Sequence, residues 1–291
     1  MKFAVVANPG KYEVKDVIHS TIKWAEKNKA HLLISKDVCH QLGIEASKSL
    51  TITNSDKDSI NSSDVVVVMG GDGTILYTAR ISRSAGKPIL GINSGRLGFM
   101  TNIQSEELEE ALDLVLKGDY TLDKRHYLKA TDNYGNQFFA LNEFLFTRKD
   151  TTSMVNISAE YDGDFINTYW ADGLIVASST GSTAYNLSSG GPIVVPGSGV
   201  VLVTPINPHT LTTRPLVLRS DKPLKVRVEP QQSGVLFSYD GVVCDEQELP
   251  LEVEIIKSKL SFNLIHLPGQ NYFETLRKKL MWGQDSRRIK N

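Results

Sequence analysis

The sequence predicts an α/β domain on a parallel sheet, then a β-rich sandwich or barrel-like domain, then a closing helix. Three observations carry this. From residue 1 to about 124, apolar strand-like runs alternate with segments of helical spacing, the pattern of a parallel sheet with covering helices. Within that part, Asp64-Val65-Val66-Val67-Val68-Met69 is an unbroken apolar run, as expected of a strand buried on both faces. Beyond Arg125 the texture changes to short β-rich runs separated by turn residues.

Phe3 to Ala7 reads as the first strand and Asn8-Pro9-Gly10 as a turn. From Glu13 to Asn28, Val17, Ile18, Ile22, Trp24 and Ala25 recur at helical spacing. A strand at His31 to Ile34, the run from Asp64 and a strand at Pro88 to Ile92 follow. Ser105 then caps a helix opened by Glu106 and Glu107, acids that suit a helix N-terminus, and Gly118 closes it. In the second half, Asp132-Asn133-Tyr134-Gly135 and Asp162-Gly163 are hairpin turns, the latter with type I′ chemistry. Strands are expected at Gly173–Ala177, Val200–Val203, Leu216–Leu218, Leu224–Val228, Gly234–Tyr239, Leu251–Ile256 and Phe262–Leu267. Tyr272 to Trp282 is the closing helix, with Phe273, Leu276 and Leu280 on one face, packed back on the first domain. The expected division is 1–124 completed by a helix at 270–291, and 125–269. No repeat or low-complexity segment interrupts it.

The 291 residues are 41% hydrophobic, enough for a sizeable core and two domains. Lys plus Arg (32) nearly balance Asp plus Glu (33), so no net field draws the chain to nucleic acid or to an acidic membrane, and an anionic ligand must be held by local geometry. The basic run Arg287, Arg288, Lys290 reads as a solvated tail. Cys39 and Cys244 fit neither a disulfide framework nor a CxxC site, which suits a reducing cytoplasm. The apolar part of MKFAVVANPG is too short for a signal segment, and nothing approaches the ~18 apolar residues that span a bilayer.

The residue types richest in chemistry lie where the apolar run meets Gly70-Gly71-Asp72-Gly73-Thr74. The glycines let the backbone turn sharply and approach a ligand, and a helix beginning near Thr74 points unpaired N–H groups back at the loop, a fit for phosphate. Asp72 puts a carboxylate among those amides. It would accept a proton from a hydroxyl attacking the phosphate, or orient an accompanying metal, or merely cap the helix for about 1 kcal/mol. A second candidate is the strand and hydroxyl-rich loop from Ala171 to Tyr185, whose Thr180, Ser182 and Thr183 offer short donors to a polar ligand; its plain alternative is a connecting loop. The third is Leu141-Asn142-Glu143. An amide reads a purine edge and a carboxylate accepts from two ribose hydroxyls, although the pair also suits a strand surface. No GxGxxG or GxxxxGK[ST] is present, no histidines have metal-ligand spacing, and Ser182 does not sit in G-x-S-x-G, which argues against a dehydrogenase, a P-loop enzyme and a serine hydrolase.

GGDGT resembles the motif shared by NAD kinases, phosphofructokinases and lipid kinases. The order of GGDGT at 70–74, NSGRLGF at 93–99, LNE at 141–143, DGLIVASSTGSTAY at 172–185, SSGGP at 188–192, PHTL at 208–211 with RPL at 214–216, and FNLIH at 262–266 resembles bacterial-type NAD kinases over nearly the whole chain. The resemblance implies a Rossmann-like domain joined to a β-sandwich, a homodimer or homotetramer, and transfer of the ATP γ-phosphoryl to the 2′-hydroxyl of the adenosine ribose of NAD, with Mg²⁺ or another divalent cation held mainly by ATP and water. It makes Asp72 the catalytic base and Gly70, Gly71, Gly73 and Thr74 the nucleotide loop. Phe99 is implied near the adenine, and Asn142 and Glu143 at the adenosine. Asp172 is implied near the nicotinamide end. Thr180, Thr183, Ala184, Tyr185 and Ser188 are implied in a loop over the dinucleotide, and Asp240 in a turn facing the site. Ser179 stands where many members have proline, and Trp170 where many have a basic or polar side chain. Rival readings are a lipid or sugar kinase with the same GGDGT, disfavoured by the lack of an apolar groove or basic face, and a non-catalytic NAD(P) sensor, which would gain nothing from Asp72.

Overall fold

The run after Asp64 becomes the middle of a parallel sheet. The computed structural model describes residues 1–11, 13–95, 97–101, 103–149, 153–229, 234–244 and 250–282. They form two units, Met1–Lys124 with Phe262–Asn291, and Arg125–Ser261. The first unit opens with β1 (Lys2–Ala7), α1 (Val14–Asn28), β2 (His31–Ser35), α2 (Lys36–Leu42), β3 (Leu50–Thr53) and α3 (Asp56–Asn61). It continues with β4 (Val65–Gly70), α4 (Asp72–Ser82), β5 (Pro88–Asn93), β6 (Ile103–Gln104) and α5 (Leu108–Lys117). Strand order is β3-β2-β1-β4-β5, all parallel. Val65 to Met69 are at most 2% exposed, and burying each such side chain contributes roughly 1.5–3 kcal/mol. One face is covered by α1 and α5, whose Val14, Val17, Ile18, Trp24, Leu108, Leu112 and Val115 join Phe3, Val5, Val67 and Met69 in one core. The Trp24 indole donates to Asp113 at 2.8 Å and fixes α1 against α5.

The second unit holds β7 (Thr121–Asp132), β8 (Gln137–Ala140), β9 (Glu143–Arg148), β10 (Val155–Tyr161), β11 (Asp164–Ala171) and β12 (Gly173–Ser178). After a short helix, α6 (Tyr185–Ser188), come β13 (Val200–Ile206), β14 (Leu216–Arg219), β15 (Leu224–Val228), β16 (Val235–Tyr239), β17 (Val242–Val243) and β18 (Leu251–His266). Antiparallel β11-β10-β15-β18 face a second antiparallel sheet, β14-β13-β12-β9-β16-β17. Ile157, Val226 and Val253 from one and Phe144, Phe146, Val176, Val203 and Phe237 from the other share a core, which makes this a sandwich. Phe237 stacks on Phe144 at 5.8 Å and meets Phe146 at 4.9 Å.

The end of β18 returns to the first unit, pairing Asn263 and Leu264 in parallel with Pro88 and Ile89, and α7 (Tyr272–Leu280) follows. Four local expectations are corrected. The helix after the glycines begins at Asp72, with Gly71 as its cap, because the extended backbone of Gly71 already presents its carbonyl to Thr74 and Ile75. At the helix near 105 the Glu107 carboxylate accepts the Gln104 N–H at 2.8 Å, so the first turn starts from Gln104, not Ser105. Leu251–Ile256 and Phe262–Leu267 are one continuous strand. On α7, Leu276 and Thr275 are buried while Phe273 is 52% exposed. Arg96 and the tail residues Arg287, Arg288 and Lys290 lie outside the described residues.

Candidate functional site

In the first unit, β4 ends at Gly70, whose missing Cβ is the space taken by the Thr74 hydroxyl. Thr74 is itself buried, so this contact closes the turn from strand to helix. The first turn of α4 leaves the amides of Asp72 and Gly73 without helical acceptors, and a Cβ added at Gly73 would meet open space. Asp72 is no cap of its own helix. Its Oδ2 accepts Phe99 N–H at 2.9 Å, and its Oδ1 accepts Met100 N–H at 3.0 Å and Thr101 N–H at 3.3 Å. Gly98 has no room for a Cβ because the Asp72 carboxylate and the Thr101 hydroxyl fill it. Phe99, half-buried, is thereby tied through its backbone to Asp72. Each carboxylate oxygen has two lone pairs, so Oδ2, which accepts one bond among the described residues, retains capacity for a substrate hydroxyl.

Beneath the glycines lie residues of the 93–99 motif to which no role was given from sequence. Asn93 pairs in register with Gly70 and Ser94 N–H donates to the Gly70 carbonyl at 3.2 Å. Both amide atoms of Asn93 and the Ser94 hydroxyl are buried without partners among the described residues. A polar residue closing a parallel strand at its C-terminal end is the sequence signal that would have singled them out.

In the second unit, Leu141-Asn142-Glu143 form the step from β8 into β9. Asp240, in the turn from β16 to β17, accepts all three of their amides, at 2.6, 2.8 and 3.2 Å. The Asp240 N–H returns a bond to the Glu143 carbonyl at 3.1 Å. Glu143 Oε2 is buried with no partner among the described residues. Burial, and then the neighbouring Asp240 charge, push the Glu143 carboxyl up to about 8. The hydroxyl-rich loop is stitched to the same step. Ser178 N–H donates to the Asn142 carbonyl at 2.8 Å, its hydroxyl donates to the Leu141 carbonyl, and that hydroxyl accepts the amides of Thr180 and Gly181. Gly181 lies against the Asn142 backbone, where a Cβ would collide. Thr180 is buried there, Thr183 and Ala184 are half-buried, and Tyr185 and Ser188 are exposed. Ser182 is wholly buried and exchanges bonds with Val194, a role in holding the loop. Ser179 accepts Gly197 N–H at 3.2 Å, a contact proline could not make.

Asn142, Glu143, Thr180 and Asp240 are thus brought together. Asp172 is not. It precedes β12, where its carboxylate meets Arg148 at 2.9 Å and Asn207 at 3.0 Å. Arg148 is the far end of β9 from Glu143, a separation of about 16 Å at strand rise. Nearby, the exposed Trp170 ring lies 4.5 Å from that of His209. Among the described residues no group of three or more His, Cys, Asp or Glu is placed to hold a metal ion.

Residues 3–120 match the family model of the ATP-NAD kinase N-terminal domain, and residues 141–267 that of the ATP-NAD kinase C-terminal domain. An NAD kinase of Flavobacterium psychrophilum is 37% identical over 296 residues, covering 99% of this chain and 100% of the relative. One from Bacteroides fragilis is 36% identical over 294 residues, covering 99% and 100%. Two crystal structures share the fold. A yeast NADH kinase complexed with NADH has a TM-score of 0.89 at 22% identity, over 100% of this chain and 90% of that one. An NAD kinase from Archaeoglobus fulgidus in complex with ATP has a TM-score of 0.75 at 23% identity, over 97% and 99%.

Proposed function

The chain belongs to the ATP-NAD kinase family and phosphorylates NAD with ATP, and from that premise we propose that Asp72 is the general base that takes the proton of the adenosine ribose 2′-hydroxyl as it attacks the γ-phosphoryl. The supporting observation is the placement of Asp72. Its carboxylate sits on the first turn of α4, between two glycines, next to amides with no helical acceptor. Gly70, Gly71, Gly73 and Thr74 shape the loop that takes the phosphates, in the unit we assign to ATP. The second unit recognises the dinucleotide through Asn142 and Glu143, with Asp240 fixing their backbone and Thr180, Thr183, Ala184, Tyr185 and Ser188 lining the loop beside them. Phe99, held to Asp72, serves the adenine, and Asp172 the nicotinamide end.

A divalent cation carried by the ATP phosphates would spread the charge that develops on them. The described residues offer no protein cage for it, so ATP phosphates and water would hold it. Among the described residues no helix is long and apolar enough to cross a membrane. A cytoplasmic setting and a homodimer or homotetramer belong to the same reading. Neither the lipid or sugar kinase nor the sensor receives support from the relatives.

The test is to incubate purified protein with NAD, ATP and Mg²⁺ and to measure NADP, alongside Asp72→Asn. The expected result is steady NADP formation by the wild type and turnover lowered roughly 10²–10⁴-fold in a folded variant. Wild-type turnover in Asp72→Asn would remove the base assignment.

A further inference from the structure

In the sheet order β3-β2-β1-β4-β5, β1 and β4 are neighbours whose following helices diverge, α1 packing with α5 and α4 with α3. Such a reversal of strand order opens a crevice beyond the C-terminal ends of the two strands, where ligands of doubly wound sheets bind. The loop after β1 is tied there by Asn8 N–H donating to the Met69 carbonyl at 3.3 Å. From this loop the Lys11 side chain crosses to the glycines after β4 and β5. Its ammonium lies 3.2 Å from where a Cβ on Gly71 would stand and 3.9 Å from that of Gly95. Gly71 caps α4, and Gly95 has a φ of 140° that side-chain-bearing residues rarely adopt. No described residue, Asp72 included, forms an ion pair or hydrogen bond with the ammonium.

A second observation lies under the same loop. Among the described residues, Asn93 is 1% exposed with neither amide atom partnered, and the Ser94 hydroxyl is likewise buried and unpartnered. A Cβ on Gly91, two residues earlier and on the same face of β5, would stand 3.3 Å from Ile75 of α4, so Asn93 points to the α4 side of the sheet. Leaving such groups unpaired costs about 1–3 kcal/mol each, a deficit that ligand atoms would relieve.

Charge points the same way. Gly70 to Thr74 contain no basic residue, the chain has no P-loop lysine, and Asp72 adds a negative charge where a triphosphate would lie. We propose that Lys11 is the phosphate-neutralising cation of this site, binding the terminal phosphates of ATP from the loop after β1, with Asn93 and Ser94 as neutral donors beneath. This rests on the reading of the glycine loop as the ATP site. Lys11 acts as a point charge on a flexible stem, so its ammonium can follow the terminal phosphates while the loop stays in place.

The experiment measures KM for ATP and for NAD, with thermal stability, in Lys11→Ala, Lys11→Arg and Gly73→Asp. Lys11→Ala should raise KM for ATP about ten- to a hundredfold, the loss expected of one charge-assisted contact, with KM for NAD within about twofold and the melting temperature retained. Lys11→Arg should recover most of the loss. Gly73→Asp, which has open space for its side chain, should also raise KM for ATP by adding a like charge. An unchanged KM for ATP in Lys11→Ala with a raised one in Gly73→Asp overturns the inference and leaves the loop reading standing. Unchanged values in both variants overturn both readings. A lowered melting temperature that Lys11→Arg does not restore, or a shift in KM for NAD alone, overturns the role of Lys11.

Discussion

In the first unit Asp72 accepts the amides of Phe99, Met100 and Thr101; in the second, Asp240 accepts those of Leu141, Asn142 and Glu143. Each carboxylate clamps three consecutive backbone N–H groups of a segment distant in sequence. Their surroundings differ. Asp72 opens a helix of eleven residues, beside first-turn amides and the open space at Gly73. Asp240 has a φ of 47° in a tight turn followed by Gly241 and lies against the buried Glu143, whose carboxyl it helps to hold protonated. A clamp of this kind is a structural device. What gives one of them a chemical role is unfilled polar capacity beside it, free amides for Asp72 and an unpartnered acid for Asp240.

The sharpest break of the comparison is the pair Asp72→Asn and Asp240→Asn. Each amide turns one accepting oxygen into a donor facing an N–H, so each variant should lose about 1–3 kcal/mol of stability in denaturant unfolding. They should separate in kinetics. Asp72→Asn lowers kcat by roughly 10²–10⁴, whereas Asp240→Asn acts mainly on KM for NAD. An equal loss of kcat in both would erase the distinction between them.

Next in size is Glu143. Its pKa is raised from 4.5 to about 8, so between those values the folded state keeps a proton that the unfolded chain has released. Stability therefore falls as pH rises through that window, on the order of a few kcal/mol, and levels off above it. Glu143→Gln should flatten this profile in unfolding experiments at pH 5.5 and 8, and should raise KM for NAD far more than it changes kcat. A profile that keeps its slope in Glu143→Gln would assign the titration to another group.

The smallest effect on the fold belongs to Tyr185, which is 42% exposed at the start of α6. Tyr185→Ala should leave the melting temperature nearly unchanged while NAD-induced stabilisation drops. A loss of the ~3–5 kcal/mol typical of buried aromatic truncation would return it to the core.

The sequence by itself determined what short-range physics controls. The Val65–Met69 run is buried because no polar residue interrupts it, and Asp162-Gly163 forms its turn with φ of 53° and 93° because that pair tolerates positive φ. The glycine loop was legible in the same way, along with the Asn-Glu pair and the hydroxyl-rich loop as candidates. Tertiary structure decided where each candidate's partners lie. Asp72 meets a segment 27 to 29 residues away and Asp240 one 97 to 99 away. The Lys11 ammonium reaches Gly71 only because β1 and β4 are neighbours in the sheet. Asp172, close to the hydroxyl-rich loop in sequence, stands at the opposite end of β12. Local pattern carries backbone conformation and burial, but a carboxylate's hydrogen bonds and a cation's reach depend on which strands pair, and that is fixed by the packing of the whole sheet.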